Sequence, residues 1–225
     1  MTYRSVELAG ARIAYRVGGA GPALVLMRNN RRPLDCPVAD ELGRRFQVFQ
    51  IHAVGFGASE RPDEYDFGSI GDQVVAVLDQ EGANRFAVWG FSQTACMAAI
   101  VARSTDRAAA LVIGGVTPIG FPTDATMRRF EREPRLPRPA LEFWRAYRSY
   151  DWHREFRSYG GLKVAYLGTA DPAIRRFRRQ RPVLEGVGFE CLEFEGLNHR
   201  SGGLDDDTFD GRRVAQTIAG RLPTS

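Results

Sequence analysis

Residues 85–103 constrain the fold most, because a short apolar run, a Gly-Phe-Ser turn and an alanine-rich run follow one another there. Residues 86–89 are aromatic or apolar and too few for a helix, so they predict a strand that is buried on both faces. Residues 94–103 hold good helix formers and neither glycine nor proline, which predicts a helix. The chain must therefore pass from strand to helix within a few residues.

Ser92 stands at the apex of this turn. A strand that becomes a helix so abruptly forces the apex residue into a strained backbone region and exposes its side chain. Gly90 has no Cβ to collide with the turn, and the first amides of the helix point at the space in front of Ser92. This is the geometry of a nucleophile elbow. The alternative is that Ser92 only caps the helix, a position that serine favours.

The rest of the chain alternates between apolar strands and amphipathic helices. A hairpin is predicted at residues 6–8 and 12–17, and further strands are predicted at 23–27, 46–53, 109–113, 164–167 and 190–194. Helices are predicted at 38–45, 69–80, 173–184 and 209–222. This alternation indicates one α/β domain over residues 1–225, with a mostly parallel sheet and helices on both faces.

Residues 115–161 break the alternation and form what we call the lid segment. They are rich in proline, arginine and aromatic residues, and they predict two helices, at about 124–132 and 139–150. Crossovers between strands are usually short, so we expect a helical lid, with a pair of ordinary crossover helices as the alternative. Aromatic faces suit apolar, ring-containing ligands. The expected substrate-binding residues are therefore Phe91, Phe143, Trp144 and Tyr147.

Two further polar residues follow strands of the predicted sheet. Asp171 comes just after the strand at 164–167, and His199 follows the strand at 190–194. Open α/β sheets build their sites at the carboxyl ends of the strands. Asp171 alone could cap a helix, and His199 alone could be a surface residue. The order Ser92, Asp171, His199 is nevertheless that of the Ser-Asp-His triad on such a sheet, and a chance coincidence of all three is rarer.

With these residues the chain resembles the α/β-hydrolase superfamily over nearly its whole length, in particular the small cytoplasmic esterases and non-haem bromoperoxidase-like enzymes. The loop His-Ala-Val-Gly-Phe-Gly-Ala-Ser at 52–59 is similar to the family's Asp-x-x-Gly-x-Gly-x-Ser, and the lid segment lies where the family inserts its cap. The resemblance implies that Ser92 is the nucleophile, His199 the general base and Asp171 the acid that orients the base.

The same resemblance implies an oxyanion hole, and here the chain departs from the family. One donor is implied at the amide of Gln93, and the second in the loop after the third strand, at Asn29 or Asn30. The family's His-Gly dipeptide in that loop is Arg-Asn here, which leaves the second donor open. Thr94 stands where the family has the last glycine of its elbow. His52 replaces the aspartate that opens the family's Asp-x-x-Gly-x-Gly-x-Ser loop. These differences indicate a divergent member, in which we expect His52 to be structural.

The favoured function is a serine hydrolase that acts on a small to medium, largely apolar or aromatic ester or thioester through an acyl-enzyme. Epoxide hydrolases and haloalkane dehalogenases of this superfamily need a carboxylate nucleophile, where this chain has a serine. Two alternatives stay open. One is a lyase, cyclase or isomerase that uses His199 as its base, and the other is a catalytically weak binding scaffold.

Composition argues against several other classes. The net charge is +4, but the cations are nearly all arginine and are interleaved with acidic residues, so no nucleic-acid partner is expected. Three cysteines far apart predict free thiols rather than a disulfide framework or a metal site. The glycine-rich residues 18–21 precede a strand rather than open a helix, so they are not a phosphate loop and no cofactor is expected.

The expected partner is a small-molecule substrate, and a homodimer is left open. Residues 1–11 lack the basic cluster and apolar run of a signal peptide, and no later run reaches membrane-spanning length. We therefore expect a cytoplasmic protein without a membrane partner.

Overall fold

The architecture was obtained as a computed structural model that describes residues 1–29, 36–203 and 209–223. The strands within these ranges are β1 Thr2–Leu8, β2 Ala11–Gly18, β3 Ala23–Arg28, β4 Gln47–His52, β5 Phe86–Phe91, β6 Ala108–Gly114, β7 Leu162–Gly168 and β8 Phe189–Phe194. They form one sheet in the order β1-β2-β4-β3-β5-β6-β7-β8. The pairs β1 with β2 and β2 with β4 are antiparallel, and the others are parallel.

Helices connect the parallel strands, and one more helix follows the last strand. They are α1 Pro37–Leu42, α2 Ile70–Gln80, α3 Gln93–Ser104, α4 Asp124–Arg132, α5 Arg138–Arg148, α6 Trp152–Ser158, α7 Ile174–Gly186 and α8 Phe209–Ala219, with a short 3₁₀ helix at Phe67–Ser69. The predicted mostly parallel α/β sheet is confirmed. None of the helices in the described ranges is long and apolar enough to cross a membrane.

The central strands are apolar throughout because helices cover both faces of the sheet. Successive residues of β3 face opposite sides: Val25 belongs to the core cluster that includes α2 and α3, while Leu24 belongs to the cluster that includes α1 and α8. Both residues are fully buried. A strand of this kind has no polar face, which is why its sequence is a continuous apolar run rather than an alternation.

The lid segment joins β6 to β7 and contains α4, α5 and α6. The sequence predicted only two helices here, and the third, α6, was missed because seven residues are too few for a clear helical period. Its start is capped by Asp151, whose side chain accepts a hydrogen bond from the Arg154 N–H. The rings of Tyr147 and Trp152 stack with their centroids 4.3 Å apart, which ties α6 to α5.

Candidate active site

The turn between β5 and α3 is a strained elbow. Ser92 has φ 56° and ψ −123°, a region that residues with a side chain seldom adopt. A Cβ on Gly90 would lie 2.0 Å from the Thr94 carbonyl oxygen, so only glycine fits there. The Ser92 N–H donates to the carbonyl of Gly114 at 2.7 Å, which anchors the apex to β6. The Ser92 side chain forms no capping hydrogen bond to α3, so the alternative that this serine serves as a helix cap is not supported.

Three side chains meet at the carboxyl edge of the sheet. The Nε2 atom of His199 lies 3.1 Å from the Ser92 hydroxyl, and its Nδ1 atom lies 2.6 Å from Asp171 Oδ2. Asp171 is buried, and its other oxygen accepts the N–H of Ala173 at 2.8 Å. The carboxylate, which can only accept, favours the tautomer with a proton on Nδ1. The lone pair of Nε2 then faces the Ser92 hydroxyl.

The start of α3 and the end of β3 lie beside this hydroxyl. Gln93 is the first residue of α3, where backbone N–H groups have no acceptor within the helix. Its side-chain oxygen accepts a hydrogen bond from Asn29 Nδ2 at 2.8 Å, so the loop after the third strand contacts the elbow. The Gln93 Nε2 donor is buried without a partner among the described residues. Asn30, the other residue expected to supply an oxyanion donor, lies outside the described residues.

Two cavities reach both Ser92 and His199. The first, which we call the polar cavity, has a volume of about 310 Å³, and its other lining residues include Arg28, Asn29, Phe91, Gln93, Thr94 and Arg200. The second, which we call the aromatic cavity, has a volume of about 650 Å³, and its wall includes Val116, Phe121, Phe130, Trp144, Pro172 and Arg176. The Ser92 and His199 side chains therefore stand where a partly polar space and a largely apolar space meet.

No family model matches the sequence, and no curated protein matches it. Solved structures do resemble it from end to end. Epoxide hydrolase A from Mycobacterium thermoresistibile has a TM-score of 0.74 at 17% identity, over 98% of this chain and 98% of that one. An esterase from a Rhodococcus species has a TM-score of 0.69 at 18% identity, over 99% and 100%. A bromoperoxidase from Bacillus anthracis has a TM-score of 0.70 at 17% identity, over 97% and 96%.

The chain has the α/β-hydrolase fold. The fold that the resemblance implied is thereby confirmed, and the candidate site lies at the carboxyl edge of the sheet, where the sequence predicted it.

The aromatic residues expected to bind substrate fall into two groups within this α/β-hydrolase fold. Phe91 lines the polar cavity, and Trp144 lines the aromatic cavity. Phe143 and Tyr147 line neither: both are fully buried, Phe143 against the ring of Phe67, and Tyr147 with its hydroxyl bonded to a backbone carbonyl. Their assignment to substrate binding is corrected, since they lie on the face of α5 that packs into the core.

Phe121 and Phe130 also line the aromatic cavity. Phe130 is one of the lid-segment aromatic residues that the sequence associates with an apolar ligand, whereas Phe121 was not identified from the sequence. Their rings flank Trp144, with centroid distances of 5.3 and 5.8 Å. A second residue that the sequence marked only as a departure from the family, Arg28, lines the polar cavity. A charged residue at the end of an otherwise apolar strand is the signal that could have identified it.

His52 has the structural role that the sequence predicted. It is fully buried, and its Nδ1 accepts the N–H of Ala58 at 3.0 Å. Its ring fills the space beside Gly57, where a Cβ would come within 2.2 Å of it. Burial, together with the smaller effect of the charges of Arg28 and Arg61, lowers the pKa of His52 to about 4, so the ring is neutral at pH 7.

Proposed function

We propose that this chain is a serine hydrolase that cleaves a carboxylic ester or thioester through an acyl-enzyme on Ser92. The observation that carries the proposal is the hydrogen-bonded series from Asp171 through His199 to a hydroxyl on a strained turn. A serine hydroxyl is a weak nucleophile on its own, and an adjacent base that is itself oriented by a third group activates it. The arrangement supplies all three parts.

In the first half of the reaction, Nε2 of His199 removes the proton of the Ser92 hydroxyl as its oxygen attacks the carbonyl carbon. The negative charge that develops on the carbonyl oxygen is stabilised by the backbone N–H of Gln93. Asp171 stabilises the imidazolium that forms and holds the ring in its orientation. Collapse of the tetrahedral intermediate expels the leaving group, to which His199 returns the proton.

In the second half, water replaces the leaving group. Nε2 of His199 takes a proton from that water as its oxygen attacks the carbonyl carbon of the acyl-enzyme, and the same oxyanion position receives the charge again. The bond between the acyl carbon and the Ser92 oxygen then breaks, and His199 returns its proton to that oxygen. The acid is released and the serine proton is restored. His199 thus acts as general base and general acid in turn, with no net change in the enzyme.

The aromatic cavity supports a substrate with an apolar group of moderate size. A volume of about 650 Å³ is within the usual range for small-molecule sites, and the rings of Phe121, Phe130 and Trp144 form much of the wall. Aromatic faces bind planar or aliphatic groups by area and by ring contacts. We therefore assign the apolar part of the substrate to this cavity, beneath α4 and α5.

The fold does not by itself choose the reaction, since structures of an epoxide hydrolase and of an esterase both resemble the chain. The serine at the elbow favours acyl transfer. A screen of p-nitrophenyl esters of graded chain length, with Ser92→Ala as the matched control, tests this. We expect hydrolysis by the wild type that Ser92→Ala lacks. Full activity of Ser92→Ala would instead favour a reaction in which His199 alone is the base.

A further inference from the structure

Phe121 lies between two cavities of the lid segment. On one side is the aromatic cavity, which Ser92 and His199 also line. On the other side is a cavity of about 370 Å³ that we call the outer cavity, and its wall includes Gly120, Pro122, Tyr150 and Trp152. Among the described residues, Phe121 alone lines both cavities. Its ring therefore separates the space next to the proposed nucleophile from a second space.

The backbone that precedes Phe121 is held by side chains of α7. Gln180 Nε2 donates to the carbonyl of Ile119 at 2.7 Å, and Arg176 Nη2 donates to the carbonyl of Gly120 at 2.5 Å. The two donors are four residues apart, so they lie on the same face of the helix. Two successive carbonyls are thus bound to one helix, and a segment held in this way has less freedom than a loop that only solvent satisfies.

The ring of Phe121 has two contacts of its own. The guanidinium of Arg176 lies over it, 5.4 Å from the ring centroid, in a cation–π contact. On the cavity side, Trp144 packs against it edge to face, with the centroids 5.3 Å apart and the rings at 87°. Arg176 therefore holds both the ring and the backbone before it, from a helix outside the lid segment.

We infer that Phe121 limits the length of the acyl chain that the proposed hydrolase accepts, and that Arg176 is the positioning residue that keeps its ring in place. This inference rests on the proposed function. A long acyl chain on Ser92 that extends through the aromatic cavity meets Phe121, since both residues line that cavity. Without the ring, the chain can continue into the outer cavity, where each further buried methylene contributes about fourfold in affinity.

The length dependence of p-nitrophenyl ester hydrolysis, from acetate to dodecanoate, tests the inference. In the wild type, kcat/KM should reach a maximum at a medium length and fall beyond it. Phe121→Ala should move that maximum by at least about two carbons and raise the ratio of kcat/KM for decanoate to that for butyrate about tenfold or more. Phe121→Leu, which removes less of the side chain, should shift the profile less in the same direction, and it serves the test if Phe121→Ala does not fold.

Phe130→Ala is the matched control for the ring. Phe130 also lines the aromatic cavity and stacks with Trp144, but it does not line the outer cavity. Its removal should change the decanoate-to-butyrate ratio less than about threefold, because it opens no passage between the two spaces.

Arg176→Met keeps an unbranched side chain and removes both the hydrogen bond to Gly120 and the cation over Phe121. It should raise the decanoate-to-butyrate ratio about threefold to tenfold. Arg176→Lys keeps a charged donor and should restore part of the length limit. Arg178→Met, on the same helix but in an ion pair with Glu193, should leave the ratio unchanged.

An unchanged length profile in Phe121→Ala, or an equal shift in Phe130→Ala, would overturn the role of Phe121. Equal effects of Arg176→Met and Arg178→Met would overturn the role of Arg176. A failure of the proposed function looks different, because ester hydrolysis is then absent or persists in Ser92→Ala. Calorimetric binding of alkan-2-ones of graded length measures the length limit without hydrolysis, and the same limit in wild type and Phe121→Ala would overturn the inference in that case too.

Discussion

The side chain of Thr94 bonds to both backbone groups of Phe91. Its Oγ1 atom accepts the Phe91 N–H at 2.9 Å and donates to the Phe91 carbonyl at 2.9 Å, and the side chain is buried. Thr94 stands where the superfamily has the last glycine of its elbow. The residue that the sequence marked as a departure thus fixes the strand end that precedes Ser92.

Replacement of Thr94 tests this contribution to the elbow. Thr94→Val keeps the shape of the side chain but removes both hydrogen bonds, so we expect a loss of about 1–2 kcal/mol in the free energy of unfolding. Turnover should fall about tenfold or more, because small displacements of a reacting group are costly. Thr94→Ser should restore both properties. A Thr94→Val variant with wild-type turnover would limit the residue to filling space.

Each member of the proposed triad should be needed for turnover. We expect Ser92→Ala and His199→Ala to lower kcat by at least about 10³-fold, and Asp171→Asn to lower it strongly without unfolding the protein. The double variants should lose little more than the single ones, because the residues act as a unit. Steady-state kinetics with one ester, together with circular dichroism, check this. If the fold-decreases in kcat of two single variants multiply in the double variant, the residues do not act as a unit.

The sequence predicted this arrangement because the local patterns were strong. The buried strand at 86–89, the glycine before Ser92 and the polar residues after two later strands each follow from local chemistry, and parallel strands bring their carboxyl ends to one edge. Which face of a helix lines a cavity does not follow in this way. Phe143 and Trp144 are adjacent in the sequence, and only tertiary packing separates a core ring from a cavity ring.

Removal of the Phe143 ring and removal of the Trp144 ring should have different effects, because the first lies in the core and the second lines a cavity. Phe143→Ala should mainly destabilise the protein, by about 3–5 kcal/mol, because a fully buried ring is removed. Trp144→Ala should also raise KM for aromatic and medium-chain esters several-fold more than for acetate esters, because Trp144 lines the aromatic cavity. Urea unfolding and KM values for a graded ester series measure the two effects. Equal KM changes for all esters in Trp144→Ala would remove the ring from substrate recognition.

His52 should make the stability of the protein depend on pH. Its pKa is lowered from 6.5 to about 4 in the folded state, so the unfolded chain takes up the proton first. The contribution of His52 to the free energy of unfolding is fully present above about pH 6.5. It is lost as the pH falls toward 4, because protonation of this histidine favours the unfolded chain. Between pH 7.5 and pH 5 this loss is about 2 kcal/mol.

His52→Asn isolates this effect, because the asparagine oxygen can accept the N–H of Ala58 and does not titrate. We expect the variant to be less stable at pH 7.5 but to lose less stability than the wild type on acidification. Urea unfolding at both pH values measures the difference. The same acid loss in both proteins would show that other groups control it.

The polar side of the site was harder to predict from the sequence than the triad. Arg28 ends a strand of apolar residues, and the sequence indicated only that a family glycine was missing next to it. Its burial and its place in a cavity wall depend on the neighbouring strand β5, which lies far away in the chain. A local sequence pattern cannot predict that β3 lies beside β5, because this neighbourhood depends on the order of strands in the sheet.

If Ser92 is an activated nucleophile, as we propose, it should react with a fluorophosphonate probe, and mass spectrometry of the labelled protein shows whether it does. We expect one adduct per chain in the wild type, on the peptide that contains Ser92, and none in Ser92→Ala. His199→Ala should react at least about 10³-fold more slowly, because its base is missing. An adduct at another residue, or a wild type that does not react while an active serine hydrolase in the same tube does, would contradict it.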